Sequence, residues 1–335
     1  MQNLEELKAL LNTPQKQSVV IVPHSKPDAD ALGSSLAMAA YLRKKGFQAT
    51  VISPTDYPDF LKWMDGEKDV LIFENPQHQL QAHQCFAEAS LLFCLDYSAM
   101  NRVGDIEPLI RQFQGKIIVI DHHQGKEDFA HFELWHVEAA ATCELVYDFI
   151  YMMGDEKLID IPIAECLYAG IMTDTGSFKH ASTSSRIHRI AAELKDLGID
   201  SARIHHLIYD NHTLERMRFL GFALSRKLKV LPEYHCAYFA ISDKELKKYE
   251  SKTGDTEGVV NYALSIKDIS IAAIFIERKE GIKISFRSFG EFSVADFAAK
   301  YFNGGGHKNA AGGLIKDKSL KQTVNYFIEK IKHEL

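Results

Sequence analysis

The stretch VPHSKPDADALG, residues 22–33, sets His24, Asp28 and Asp30 within seven positions, directly after the apolar run SVVIV. Ionisable side chains at the end of a buried strand cost free energy unless something binds them. The arrangement recurs. SLLFCLD ends on Asp96, KIIVID ends on Asp121 and runs into His122 and His123, and YAGIMTDTGSF places Asp174 beside Gly176. A single aspartate in such a place is ordinarily a helix N-cap or a turn former, and Asp30 ahead of ALGSSLAMAA fits the cap. Five aspartates together with His24, His122 and His123 do not, because such a set, if gathered, would repel itself strongly without cations.

Carboxylate oxygens and imidazole nitrogens without cysteine favour a hard or borderline octahedral ion such as Mn²⁺ or Mg²⁺, and the histidines tilt the choice toward manganese. The carboxylates suffice for two ions that share a bridging aspartate roughly 3.5–4 Å apart, a geometry suited to phosphoester hydrolysis with water as the nucleophile. Spacing along the chain does not bring these residues together; a shared sheet edge does.

The first half supplies such an edge. Strands are expected at SVVIV (18–22), QATVIS (48–53), VLIF (70–73), SLLFCLD (90–96) and KIIVID (116–121), with a helix over ALGSSLAMAAYLRKKG closed by Gly46. Near-continuous apolar strands interleaved with helices imply a doubly wound, mostly parallel sheet, which binds ligands at the carboxyl ends of its strands. Residues 184–229 read as helical. The second half should hold strands near YHCAYFAIS, SIAAIFIER and IKISFRS, helices near EGVVNYAL and SVADFAAKYF, the segment NGGGHKNAAGG and a terminal helix.

Bulk properties agree with a two-domain α/β protein. The chain has 335 residues, of which 46% are hydrophobic and 25% charged, and no apolar run approaches the roughly 18 residues of a membrane span. The start, MQNLEELKALLNT, lacks the basic and apolar blocks of a signal peptide, so a cytoplasmic protein without a membrane partner is expected. Five scattered cysteines argue against disulfides and a thiolate zinc site. The net charge of -6 is unevenly spread: from Arg226 onward 19 basic residues face 14 acidic ones, whereas the preceding part has 20 against 31. Such a split suits a cation-binding first part and a second part that takes an anionic substrate, although uneven solvated charge explains it equally well.

In the second half, Gly304, Gly305 and Gly306 let the backbone approach a ligand and can turn amides toward a phosphate, and His307 can add a hydrogen bond. Arg287 can pair with phosphate or stack on a base, and Asn261 with Tyr262 can line the same site. His180, His188, His205, His206 and His212 read as surface or core histidines.

In order, HSKPDADALGS, LDYS, DHH and TDTGSF resemble the four motifs of the DHH phosphoesterase family, and NGGGHKNAAGG resembles the GGGH motif of the associated DHHA1 domain. The resemblance implies a DHH domain over 1–190, a helical connection over 191–226 and a smaller α/β DHHA1 domain over 227–335, with the active site in the cleft between domains. It implies one metal on His24, Asp28 and Asp96 and a second on Asp30, Asp96, His122 and Asp174, with Asp96 as bridge. Asp121 would orient a histidine and His123 would face the scissile phosphate. The ions implied are two Mn²⁺, with Mg²⁺ or Co²⁺ as alternatives. The expected substrates are short single-stranded RNA oligonucleotides, dinucleotides such as pApA, and pAp; long duplex nucleic acid is not expected, and a homodimer is. A cyclic-dinucleotide phosphodiesterase and a catalytically inactive nucleotide-binding module are the alternatives.

Overall fold

In the computed structural model, which describes residues 4–12, 17–252 and 254–334, the chain divides into two units, Met1–Asn211 and His212–Leu335. Of the N-terminal stretch, residues 1–3 and 13 lie outside the described part. The first unit runs α1 (Leu4–Leu11), β1 (Ser18–Pro23), α2 (Ala29–Lys44), β2 (Gln48–Ser53), β3 (Leu71–Ile72), α3 (Pro76–Glu88), β4 (Ala89–Leu95) and α4 (Glu107–Arg111). It continues with β5 (Lys116–Asp121), β6 (Phe132–Trp135), α5 (Thr142–Met153), α6 (Ile161–Asp174), α7 (Ser185–Asp196) and α8 (Ser201–Tyr209).

The strands pair in parallel in the order β3-β2-β1-β4-β5-β6. All five expected strands form, VLIF only as Leu71–Ile72, and Gly46 follows the end of α2 with φ 91°, as the expected cap requires. The sixth strand, FELW, escapes a search for continuous apolar runs because it is a short edge strand: Phe132 and Leu134 are buried while Trp135 is exposed.

Alternation along the strands divides the core in two. Val19, Ile21, Leu91, Phe93 and Ile118 pack with α2, α5 and α6, while Val20, Val22, Leu92, Cys94 and Val119 pack on the other face with Phe86 of α3 and Ile106. From β1 the chain winds outward to β3 and then crosses back to β4, so the direction of winding reverses between β1 and β4. At such a switch point the helices leave on opposite faces and open a crevice at the carboxyl ends of the strands.

The second unit holds α9 (Leu214–Phe222), β7 (Lys229–Leu231), β8 (Cys236–Ile241), α10 (Asp243–Lys248), α11 (Val259–Leu264), β9 (Ile271–Arg278) and β10 (Gly281–Ser288). It closes with α12 (Val294–Tyr301), β11 (Gly305–His307), β12 (Ala310–Ile315) and α13 (Leu320–Glu334). Its sheet is mixed, in the order β11-β12-β10-β9-β8-β7, with only β8 and β9 parallel. One face packs against α12 and α13 through Phe286, Phe297, Phe302 and Phe327; the other packs against α9 and α11 through Phe219, Phe239 and Val260. All five cysteines are free, and no described helix is long and apolar enough to cross a membrane.

Candidate metal centre

The carboxyl ends of β1, β4 and β5 meet the N-terminus of α5 and the C-terminus of α6, and there the residues singled out in the first unit converge. His24 follows β1, Asp96 follows β4, Asp121 ends β5 and Asp174 ends α6. His24 Nε2 lies 3.3 Å from Asp96 Oδ2, and His122 Nε2 lies 3.4 Å from Asp96 Oδ1, 3.5 Å from Asp174 Oδ2 and 3.8 Å from Asp30 Oδ2. Donor atoms of His24, Asp28 and Asp96 lie within 4.8 Å of one another, as do those of Asp30, His122 and Asp174. The two oxygens of Asp96 therefore face different groups, as a bridging carboxylate must.

The caps correct one expectation. Asp28, not Asp30, is the N-cap of α2: its Oδ1 accepts from the amides of Asp30 and Ala31 at 3.0 Å each. Asp30 sits one residue inside the helix, fully buried, where its Oδ2 and Oδ1 accept from the amides of Thr142 at 2.6 Å and Cys143 at 2.8 Å. The positive end of the α5 dipole thus stabilises a carboxylate on a different helix. Gly170 of α6 makes room for it, since a Cβ there would lie 2.7 Å from Asp30 Oδ1 and 2.3 Å from Cys143 Sγ.

Each imidazole is oriented by an acceptor. His24 Nδ1 lies 2.9 Å from the Ser25 carbonyl and His122 Nδ1 lies 3.1 Å from the Ala139 carbonyl. A carbonyl only accepts, so Nδ1 carries a hydrogen and Nε2 is the nitrogen turned to the cluster, where it donates to Asp96 when protonated and offers a lone pair to a cation when not. Asp121 Oδ1 accepts from the amide of His123 at 3.1 Å and from its Nδ1 at 2.8 Å.

Electrostatics show the strain in this set. Burial, then the neighbouring Asp96 charge, push Asp30 up to about 7, and burial, then Asp30 and Asp28, push Asp174 well above the usual carboxylate range. Burial also works against charge on Asp96, but His123, His122 and His24 outweigh it and hold that carboxyl well below its ordinary value. Burial opposes the charging of His122, yet Asp96, Asp174 and Asp30 raise it well above its ordinary value. Protons would have to neutralise a cluster that a divalent cation neutralises directly. The separations of 3.3–3.8 Å are near the roughly 3 Å between adjacent ligands of an octahedral ion with bonds of about 2.1 Å. The donor set therefore fits divalent cations.

The sequence reading missed several contributors. Thr142 donates from Oγ1 to Asp96 Oδ1 at 2.7 Å, and the only local sign of it is its place at the start of a helix after a polar-poor AAA. Asp96 itself takes φ 66°, a left-handed conformation uncommon outside glycine and typical of functional sites. His180, read as a surface or core residue, is exposed as that reading has it, with its Nδ1 3.0 Å from the carbonyl of Asp174. His188 and His205 match that reading in packing against Phe178 and Tyr168.

Within the second unit, Arg287 of β10 and His307 of β11 both lie opposite Ala310 of β12, so the register places them in one row across the sheet. Gly305 and Gly306 belong to the edge strand β11, and Gly304 precedes it. A Cβ on Gly304 would sit 1.9 Å from the Gly312 carbonyl, and one on Gly306 2.4 Å from the Ala310 carbonyl. Their glycines are required by the approach of β12. Asn261 and Tyr262 are exposed on α11.

Residues 18–171 match the DHH family, N-terminal domain, and residues 234–335 match the DHHA1 domain. The crystal structure of an exopolyphosphatase-related protein from Bacteroides fragilis is 37% identical, with a TM-score of 0.92 over 98% of this chain and 95% of that one. A bifunctional oligoribonuclease and PAP phosphatase NrnA of Thermus thermophilus is 29% identical over 95% of this chain and 90% of its own length. The Bacillus subtilis protein of the same name is 25% identical over 89% of each.

Proposed function

Since the chain belongs to the DHH family and carries a DHHA1 domain after the DHH domain, we propose that it is a metal-dependent phosphoesterase that hydrolyses short RNA oligonucleotides, dinucleotides such as pApA, and pAp. The observation that carries this reading is the bridging arrangement of Asp96, with one carboxylate oxygen toward His24 and the other toward His122. The names of the relatives from Thermus thermophilus and Bacillus subtilis supply the substrate class, and they give the cyclic-dinucleotide alternative no support. Every position of the expected ligand set is occupied by a competent donor, which disfavours an inactive module.

In this reading His24, Asp28 and Asp96 hold one divalent ion, and Asp30, Asp96, His122 and Asp174 hold a second, manganese being suited to the mixed carboxylate and imidazole set. Bound there, such ions lower the pKa of water and withdraw charge from a phosphoryl oxygen. The protein's own groups do the positioning. Thr142 and the α5 amides keep Asp96 and Asp30 in place, and Asp121 holds His123 with its hydrogen on Nδ1. That leaves His123 Nε2 to hydrogen-bond the substrate and, when protonated, to deliver a proton to the leaving oxygen. Arg287, His307, Gly304–Gly306 and Asn261 of the second unit serve the remaining phosphate and base.

The test is a substrate panel of pApA, pAp, RNA oligonucleotides of increasing length, a cyclic dinucleotide and a long duplex, run with Mn²⁺, Mg²⁺ or Co²⁺ and with a chelator. Turnover of the short substrates with Mn²⁺, none with chelator and none on the duplex is expected. No turnover of any short substrate with any metal would overturn the reading.

A further inference from the structure

The second unit carries a cationic cleft that the proposed chemistry leaves unused. Arg218, Phe222 and Arg226 follow one another at spacings of four, so they lie along one side of α9 and of the wider π-helical turn, Ala223–Lys227, that continues it. Lys248 and Tyr249, at the end of α10, face them across a cleft of about 470 Å³ that Ser225 also lines. The Phe222 and Tyr249 rings stack with centroids 4.8 Å apart, and the Lys248 ammonium lies 5.6 Å from the Tyr249 centroid.

Nothing acidic lines this cleft, and among the described residues no ion pair involves Arg218, Arg226 or Lys248. The nearby carboxylates are committed elsewhere: Glu245 to Lys227 and to the α10 cap, and Asp243 to Lys247 at 2.5 Å. Three cations held together without counter-charge favour an anion, and guanidinium groups match a phosphate in two-pronged geometry. The two rings already stack on each other, so a base meets them by stacking on an outward ring face, in the place that the flexible Lys248 chain takes over Tyr249.

We propose that this cleft binds a nucleotide moiety, with its phosphate on Arg218, Arg226 and Lys248 and its base against Phe222 and Tyr249. The functional reading above enters only in the choice of probe. The moiety can come from a free mononucleotide or from one residue of a single strand, which share this chemistry. The three-residue stripe on α9 and its π-helical continuation, completed by α10, sets the cleft apart from the Arg287–His307 row on the sheet.

Calorimetric titration of the full chain without metal, so that turnover plays no part, tests the site. The His307→Ala background removes a contribution from the sheet. AMP, inorganic phosphate, a five-nucleotide oligoadenylate and a glutamate-rich peptide are compared as ligands. AMP should bind more tightly than phosphate. The double variant Arg218→Ser/Arg226→Ser should weaken AMP about tenfold or more, and Tyr249→Leu should weaken AMP about tenfold while leaving phosphate unchanged. The arginines are exposed, so the double variant should fold as the parent does, which its thermal transition checks. An oligoadenylate far tighter than AMP would identify the strand as the source, and equal affinities the free nucleotide. AMP affinity indifferent to the double variant, AMP no tighter than phosphate, or the peptide matching AMP would each overturn the proposal. Failure here would leave turnover of pApA intact, and failure of turnover would leave this binding intact.

Discussion

Asp96 concentrates more of the site's electrostatics than any neighbour: three imidazoles and one hydroxyl converge on its two oxygens, and its own backbone is left-handed. Removing its charge while keeping its shape, Asp96→Asn, should abolish turnover. A variant retaining normal rates would remove the residue from the mechanism. Thr142 acts on it through a single hydroxyl. Thr142→Val keeps the volume but takes away the donor to Asp96 Oδ1, so Mn²⁺ affinity should fall by about tenfold, in the range found when groups supporting a ligand are lost. Calorimetry with Mn²⁺ reads this directly, and an unchanged affinity would show that the hydroxyl serves folding alone. His24 and His122 need no comparable side-chain partner, because backbone carbonyls set their tautomers.

Among the elements, the junction of α2, α5 and α6 does most to shape the centre, and glycine allows it. Gly33 brings α2 onto the carbonyl of Cys166, with a Cβ there only 2.6 Å from that oxygen, and Gly170 brings α6 onto Asp30 and Cys143. A methyl group at Gly170 must move either a helix or a buried carboxylate, so Gly170→Ala should cost about 1–3 kcal/mol of stability and weaken metal binding along with it. Gly221→Ala is the control: it lies in α9, nothing stands within 4 Å of its added Cβ, and it should be neutral or stabilise by up to about 1 kcal/mol. Urea unfolding of the two variants separates crowding from ordinary helix propensity. Equal effects would refute the close-packing account.

For the whole molecule, the first unit buries a self-repelling cluster at the switch point of its sheet, so cation binding and folding of that unit are linked. A ligand that binds only the folded state stabilises it by RT ln(1 + [L]/Kd), about 2.7 kcal/mol at a hundredfold excess over Kd. The thermal midpoint should therefore rise by several degrees with saturating Mn²⁺, and Asp96→Asn should abolish the rise. A midpoint that ignores Mn²⁺ in the unaltered protein would contradict metal binding at this centre.

Much of this was legible in the chain. Local chemistry determined that strands over 18–22, 90–96 and 116–121 end in ionisable groups, that Gly46 closes the first long helix, and that the candidate donors are oxygen and nitrogen rather than sulfur. These are properties of residue type and of a period of two or 3.6, which neighbours in sequence suffice to express. Only the tertiary structure decided that Asp28 caps α2 while Asp30 is buried against the amides of α5, because the partner amides lie more than a hundred residues away. The same holds for Thr142 and for the left-handed turn at Asp96, where contacts from other elements determine a conformation that local preference opposes. Gly304 and Gly306 add a second reason for glycine that the string does not show: the approach of β12 makes one necessary at each, whatever their amides bind. Local pattern specifies which groups are available, but strand order and helix approach determine which of them meet, since those depend on burying whole faces rather than on any short run of residues.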